Sequence, residues 1–205
     1  IMKLSNLKST FYNITIFLVG CLISSFSFFT LFLIEYSEEA YVFNCAVNVI
    51  DSLRLTAYCL FIALIEEFVF RYLFLKKWIK HKQKKFTGRV VFLGLISSMI
   101  FGFLHLNLNE FPLMQINLIF SGISLFFATY LFRNISIAVG MHFSWNFIQG
   151  VIFPFEGSGS EFDSILVLQS GVKINHEASQ FMFVTFFFFF IFILVFVKLK
   201  ENAFN

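Results

Sequence analysis

Apolar residues in this chain fall in long blocks rather than in the two-residue alternation of a half-buried strand. Six blocks stand out, at 11–34, 53–75, 90–106, 112–132, 135–154 and 181–197. Each approaches the roughly 20 apolar residues that a helix needs to cross a bilayer core. The pattern predicts an all-α, polytopic transmembrane helical bundle of about six spans, forming one domain over 1–205. Segment 41–52 is mildly apolar and either extends the second span or lies at the interface. The stretch "PFEGSGSEFDS" (154–164) has turn composition and predicts a mobile outer loop. "FFFFF" at 186–190 is low in complexity but ordinary on a lipid-facing helix, and no internal repeat stands out.

Composition sharpens this picture. Of the 205 residues 59% are hydrophobic and 13% charged, whereas roughly a quarter are charged in soluble domains. Cys21, Cys45 and Cys59 are odd in number and lack CxxC spacing, so they suggest neither a disulfide framework nor a zinc cage. "LVGC" (18–21) resembles a lipoprotein cleavage box, but the apolar run continues past Cys21 as in a first span. The length of that run also disfavours a cleaved signal peptide. The lysines sit between apolar spans, which argues against nucleic acid as a partner.

The distribution of charge says more than its net value. Lys3 and Lys8 precede the first block. Lys76, Lys77, Lys80, Lys82, Lys84, Lys85 and Arg89 fill the loop after the second. Arg133 follows the fourth, and Lys198 and Lys200 follow the sixth. With six spans all of these fall on one side, and cationic excess marks the cytoplasmic side. The other side collects Glu35, Glu38, Glu39, Asp51, Glu110, Glu156, Glu161, Asp163 and Glu177. The expectation is a multi-pass protein of the cell membrane with both termini cytoplasmic. The basic loop then acts as a topology anchor touching anionic lipid.

Against this apolar background, "LIEEFVFR" (64–71) demands an explanation. An ionised residue at mid-membrane costs about 2.5–3.5 kcal/mol on insertion scales, so three unpaired ones would cost on the order of 8–10. Glu67 and Arg71 are four apart, share a helix face and can pair. Glu66 points about 100° away and must face protein or a wet cavity. Two further sets lie on other spans: His105 closes "FGFLH" (101–105), and "HFSWN" (142–146) stacks His142 and Asn146 one turn apart. Any one of these could be mere interhelical glue. Together they make a convergent polar set that suits peptide-bond hydrolysis without a covalent nucleophile. A carboxylate can activate water, a histidine can orient it or shuttle its proton, and a second histidine with an amide can donate to an oxyanion.

Other chemistries weigh less. Zinc held by Glu66, His105 and His142 is the rival, although HExxH is absent. An aspartyl dyad is excluded in practice, because Asp51 and Asp163 lie outside the spans. Ser144 lacks a Gly-x-Ser-x-Gly elbow.

"EEFVFR", "FGFLH" and "HFSWN" match EExxxR, FxxxH and HxxxN in that order. The chain thus resembles the CPBP intramembrane endopeptidases, also called the Abi or CAAX-protease-like family, over a motif-bearing core of about 53–155. The resemblance implies a glutamate-dependent intramembrane protease acting on a membrane-associated protein or peptide. Glu66 would be the water-activating base, His105 its assistant, and His142 and Asn146 the oxyanion site; Glu67 and Arg71 would support the architecture. It implies no cofactor on the metal-free mechanism, with zinc as the alternative. Bacterial relatives are associated with peptide maturation, bacteriocin self-immunity or membrane signalling. Many members have Gly after the motif arginine, where this chain has Tyr72.

Two other functions compete: a non-enzymatic immunity or scaffolding protein held together by these polar residues, and, less favoured, a transporter with a protonatable pair. One geometric tension remains. By helix rise Glu66 lies roughly 15 Å from Lys76 and His142 roughly 13 Å from Arg133, but His105 lies roughly 24 Å from Arg89. Either a strong tilt of the third helix or a deeper Arg89 is expected if the three are to meet.

Overall fold

The computed structural model of the protein describes residues 4–35, 41–43, 47–80, 87–105, 112–152 and 164–168. The described chain is overwhelmingly helical. Helix α1 spans Leu4–Glu35 and α2 Val49–Glu67. A π-helical turn, Phe68–Tyr72, joins α2 to α3, Leu73–Lys80, so that 49–80 is one continuous rod. Then come α4 (Gly88–Leu104), α5 (Pro112–Phe132) and α6 (Ser136–Phe147), which runs into a second π-helical turn, Ile148–Ile152. Five of the six predicted apolar blocks therefore lie on helical rods; the sixth, 181–197, falls outside the described residues. One helix, over Ser9–Phe29, is long and apolar enough to cross a membrane, while Gly88–Leu104 and Ile116–Phe132 are shorter apolar helices.

Local chemistry sets several boundaries. Asn48 caps α2, its Oδ1 accepting from the Ile50 amide at 3.0 Å. Asp51 sits in the first turn, where a carboxylate complements the helix dipole, and accepts from Arg54 at 3.0 Å. Proline at the first position of α5 forgoes an amide that would be unpaired there anyway. The α5–α6 turn is made by Arg133 in the left-handed region (φ 53°). Asn134 then accepts from the Ser136 amide and donates to Asn13 Oδ1 in α1, both at 2.8 Å.

Two strands, Tyr41–Phe43 and Leu166–Leu168, pair antiparallel with Val42 opposite Val167. They join the α1–α2 connection to the segment beyond the second π turn, where the Ile165 amide donates to Val151 O at 2.9 Å.

The helices alternate in direction, so one end of the bundle carries Lys76, Lys77, Arg89 and Arg133. There Arg133 reaches across to donate to the Trp78 carbonyl at 3.0 Å and lies over the Tyr130 ring.

Packing follows membrane-type rules, in which small residues let helices approach closely. Gly20 of α1 and Gly140 of α6 meet back to back. A Cβ at Gly20 would strike the Ile137 carbonyl oxygen, and one at Gly140 the carbonyl oxygen of Phe17. The Ser25 and Ser144 hydroxyls bond at 2.8 Å along the same seam. An apolar cluster of Ile16, Leu125, Ala128, Ile137, Ala138 and Met141 fills the space between α1, α5 and α6. A second, of Leu75, Val90, Phe126 and Tyr130, closes the basic end of α3, α4 and α5. Leu55, Cys59 and Val151 join the upper part of α2 to the second π turn.

Candidate active site

Glu67 and Arg71 form the floor. Both side chains are fully buried, and Arg71 Nη1 donates to Glu67 Oε1 at 2.8 Å. This is the intrahelical pair expected from the spacing. Its second partner lies 75 residues away: His142 Nδ1 is also 2.8 Å from Glu67 Oε1. Arg71 is a permanent cation, so the oxygen it shares is an acceptor, and His142 Nδ1 must carry the proton. Arg71 Nη2 reaches the Gly122 carbonyl of α5 at 3.4 Å, and its guanidinium lies 4.5 Å from the centre of the Phe101 ring.

The π turn begins right after the two glutamates and contains Arg71. Such turns widen a helix by one residue and leave part of its main chain free for other partners, often at functional sites. Here the Phe70 carbonyl, within the turn, accepts from the Ser97 hydroxyl of α4. Tyr72 stacks on Phe68 at 5.2 Å between ring centres.

The Ser97–Phe70 bond also fixes depth. The two helices are antiparallel, so four residues up from each bring Phe101 level with Glu66. His105 lies one turn beyond, at the cap of α4, but its ring folds back. Its Nδ1 meets the Phe101 carbonyl at 2.7 Å, and it packs on the Phe101 ring at 4.6 Å. That fold-back recovers about 6 Å of rise. The side chain's direction, which neither expected explanation included, thus meets about two thirds of the depth conflict, and the Ser97–Phe70 register, which sets Arg89 about 3 Å further toward the basic end than Lys76, meets the rest.

A carbonyl can only accept, so His105 Nδ1 donates. Both imidazoles therefore commit Nδ1 to the protein and turn Nε2 toward Glu66. His105 Nε2 stands 3.6 Å from Glu66 Oε1, and His142 Nε2 stands 3.7 Å from Oε2. These separations are slightly longer than a direct hydrogen bond. Among the described residues, Oε2 of Glu66, Oε2 of Glu67 and Nε of Arg71 have no hydrogen-bond partner. Glu66 and His105 remain part-exposed, with 20% and 36% of their side chains accessible.

Asn146 lies one turn beyond His142, half-buried. Among the described contacts none joins it to Glu66, Glu67 or His105. Ser144 is engaged elsewhere, with Ser25 in the α1 seam.

Sequence reasoning missed Phe101, whose ring touches Phe70, His105, His142 and Arg71. Its place in the FxxxH pattern was the available signal. Reasoning from sequence also missed Ser97 and the Gly122 carbonyl, which no local spacing marks.

The two histidines address different oxygens of Glu66. Among the described residues no group of three His, Cys, Asp or Glu side chains is disposed to hold an ion.

The described helices thus place Glu66 between two oriented imidazoles, over the buried Glu67–Arg71 pair. Residues 48–148 match the family described as Rce1-like, type II CAAX prenyl endopeptidase Rce1-like. Over that stretch, about half of the chain, the protein belongs to the CAAX-protease (CPBP) family. No curated protein and no solved structure matches the chain.

Proposed function

We propose that the protein is a multi-pass intramembrane endopeptidase of the cell membrane, with both termini cytoplasmic, that hydrolyses a peptide bond in a membrane-associated protein or peptide. The observation that carries this reading is Glu66 lying between the Nε2 atoms of His105 and His142, at 3.6 and 3.7 Å.

In the proposed reaction a water held between Glu66 and the imidazoles gives one proton to the Glu66 carboxylate. Its oxygen adds to the scissile carbonyl carbon. The resulting oxyanion is met by the Asn146 amide and by His142. Donation from His142 Nε2 requires the doubly protonated ring, because Nδ1 is already bound to Glu67. Collapse of the tetrahedral species breaks the C–N bond, and His105 Nε2 relays the proton held by Glu66 to the departing nitrogen, which restores both groups. Glu67 and Arg71 hold His142 in register. Burial favours this division of labour: Glu67 Oε1 is held by both a cation and an imidazole on a fully buried side chain, whereas Glu66 is part-exposed between two imidazoles.

The reading needs no metal, and its roles in peptide maturation or bacteriocin self-immunity are proposals of the same kind. The test is comparative peptidomics of cells carrying wild type or Glu66→Ala at equal membrane abundance. Products that vanish with Glu66 are expected, and their persistence sinks the assignment in favour of a non-enzymatic immunity or scaffolding protein. Chelation is expected to leave cleavage by the purified protein intact. Loss of cleavage that zinc restores would replace the metal-free mechanism by one with zinc on Glu66, His105 and His142.

A further inference from the structure

Two adjacent serines in the middle of α4 are both buried, yet their hydroxyls are used differently. Ser98 bonds back to the Gly94 carbonyl of its own helix at 2.7 Å, the ordinary habit of a helical serine. Ser97 leaves its helix and donates to the Phe70 carbonyl in the first π turn. The reason for the crossing lies in the turn itself. There the Leu73 amide donates to the Phe68 carbonyl, five residues back. A return from five-residue to four-residue spacing skips one carbonyl, which needs an outside donor when it is buried. Phe70 also sets its ring edge-on to the Phe101 ring at 5.3 Å, so α4 grips it by main chain and side chain together. Among the described residues, the Ser97–Phe70 bond is the hydrogen bond that joins α4 to the 49–80 rod. The neighbours of Ser97 on α4 face α5 instead: Gly94 lies against the Phe126 ring and Ser98 against Gly122.

We infer that Ser97 is a positioning residue for the site: its hydroxyl holds the Phe70 carbonyl of the widened turn, sets α4 against the rod, and thereby sets His105 Nε2 beside Glu66. Glu66 lies one turn from Phe70 along the rod, and His105 lies about two turns from Ser97 at the cap of α4. Both stretches are short and internally hydrogen-bonded. A slip at the bond is therefore passed on to the 3.6 Å separation of His105 Nε2 and Glu66 Oε1. The other imidazole is placed differently, by α6 and by its own bond to Glu67, and does not depend on Ser97. The placement of α4 stands on the fold alone; its consequence for turnover rests on the proteolytic reading above.

The test has one arm that needs no substrate. In the full-length protein with Cys21→Ser, Cys45→Ser and Cys59→Ala, nitroxides are attached at Phe61→Cys and Phe103→Cys, exposed positions of α2 and α4. Pulsed electron paramagnetic resonance then reads the distance between the two helices. Ser97→Ala removes the hydroxyl. Ser97→Thr and Ser97→Val are alike in shape and differ in that hydroxyl alone, so this pair carries the test if Ser97→Ala fails to accumulate. The expected result in Ser97→Ala and Ser97→Val is a shift in mean distance of about 1.5 Å or more, one residue of helix rise. Ser97→Thr is expected to stay at the wild-type distance. In the second arm, cells carrying the same variants without labels, at equal membrane abundance, are compared for the peptides that vanish with Glu66→Ala. Their yield is expected to fall about tenfold or more in Ser97→Ala and Ser97→Val, as misplacement of a catalytic group does, and to be kept in Ser97→Thr. An unchanged distance in Ser97→Ala, equal shifts in the Thr and Val variants, or a full yield of Glu66-dependent peptides from Ser97→Ala each overturns the inference. If no peptide depends on Glu66, proteolysis falls, and the distance arm alone decides whether Ser97 sets α4.

Discussion

Glu66 and Glu67 are adjacent in sequence yet have different surroundings, and that difference is the chemistry of the site. A helix turns about 100° per residue. Neighbours therefore have different surroundings: Glu67 meets Arg71 and His142 with its side chain fully buried, and Glu66 lies between two imidazoles with a fifth of its side chain accessible. Glu66→Gln keeps the shape and removes the base. It is expected to lower turnover about 10²–10⁴-fold, with membrane abundance unchanged, as read by product formation from purified protein. Arg71→Met strands a buried carboxylate and is expected to cost about 3–5 kcal/mol, measured by thermal unfolding in detergent. Glu67→Leu combined with Arg71→Met removes both charges and should recover most of that stability. Product formation should stay low in the double variant, because His142 has lost its anchor. Parallel recovery of both would mean that the pair does not position His142. The Glu67–Arg71 contact was legible in the sequence because four-residue spacing within one helix fixes it. The Glu67–His142 contact was not, since it depends on how two helices cross.

At the scale of elements, the apolar blocks were readable because bilayer-length helices leave a plain mark. Five of six predicted blocks lie on helical rods, with α5 matching its predicted range of 112–132. The π turns left no such mark. Neither proline nor glycine announces Phe68–Tyr72; the widening is a tertiary choice, coupled to the Ser97 hydroxyl and to the packing of Arg71. The seam between α1 and α6 is likewise a matter of backbone approach, visible in sequence only as scattered small residues. Gly140→Leu should force these helices apart and destabilise the fold by at least about 1–3 kcal/mol. Gly88→Ala, where an added Cβ meets nothing within 4 Å, should leave the melting temperature nearly unchanged. Equal melting of both variants would show that the contact contributes little. Only α1 of the seam lies outside the family-matched stretch, so the family match says nothing of the helix that completes it.

For the molecule as a whole, charge asymmetry and helix alternation support a consistent picture: basic residues gather at one end, separated from Glu66 by the buried Glu67–Arg71 pair and the Leu75 cluster. Reporter fusions at the two termini and in the 81–86 loop are expected to report one and the same side of the membrane. A terminus on the opposite side would change the number of spans and break the proposed topology. The layer formed by Leu75, Val90, Phe126 and Tyr130 then has a consequence beyond stability. Any protein that carries titratable groups and water into a bilayer risks becoming a wire for protons. On the proposed intramembrane reading, the seal of aliphatic and aromatic side chains beneath those groups interrupts the wire, and a hydrolytic pocket can sit in the bilayer without short-circuiting the gradient across it.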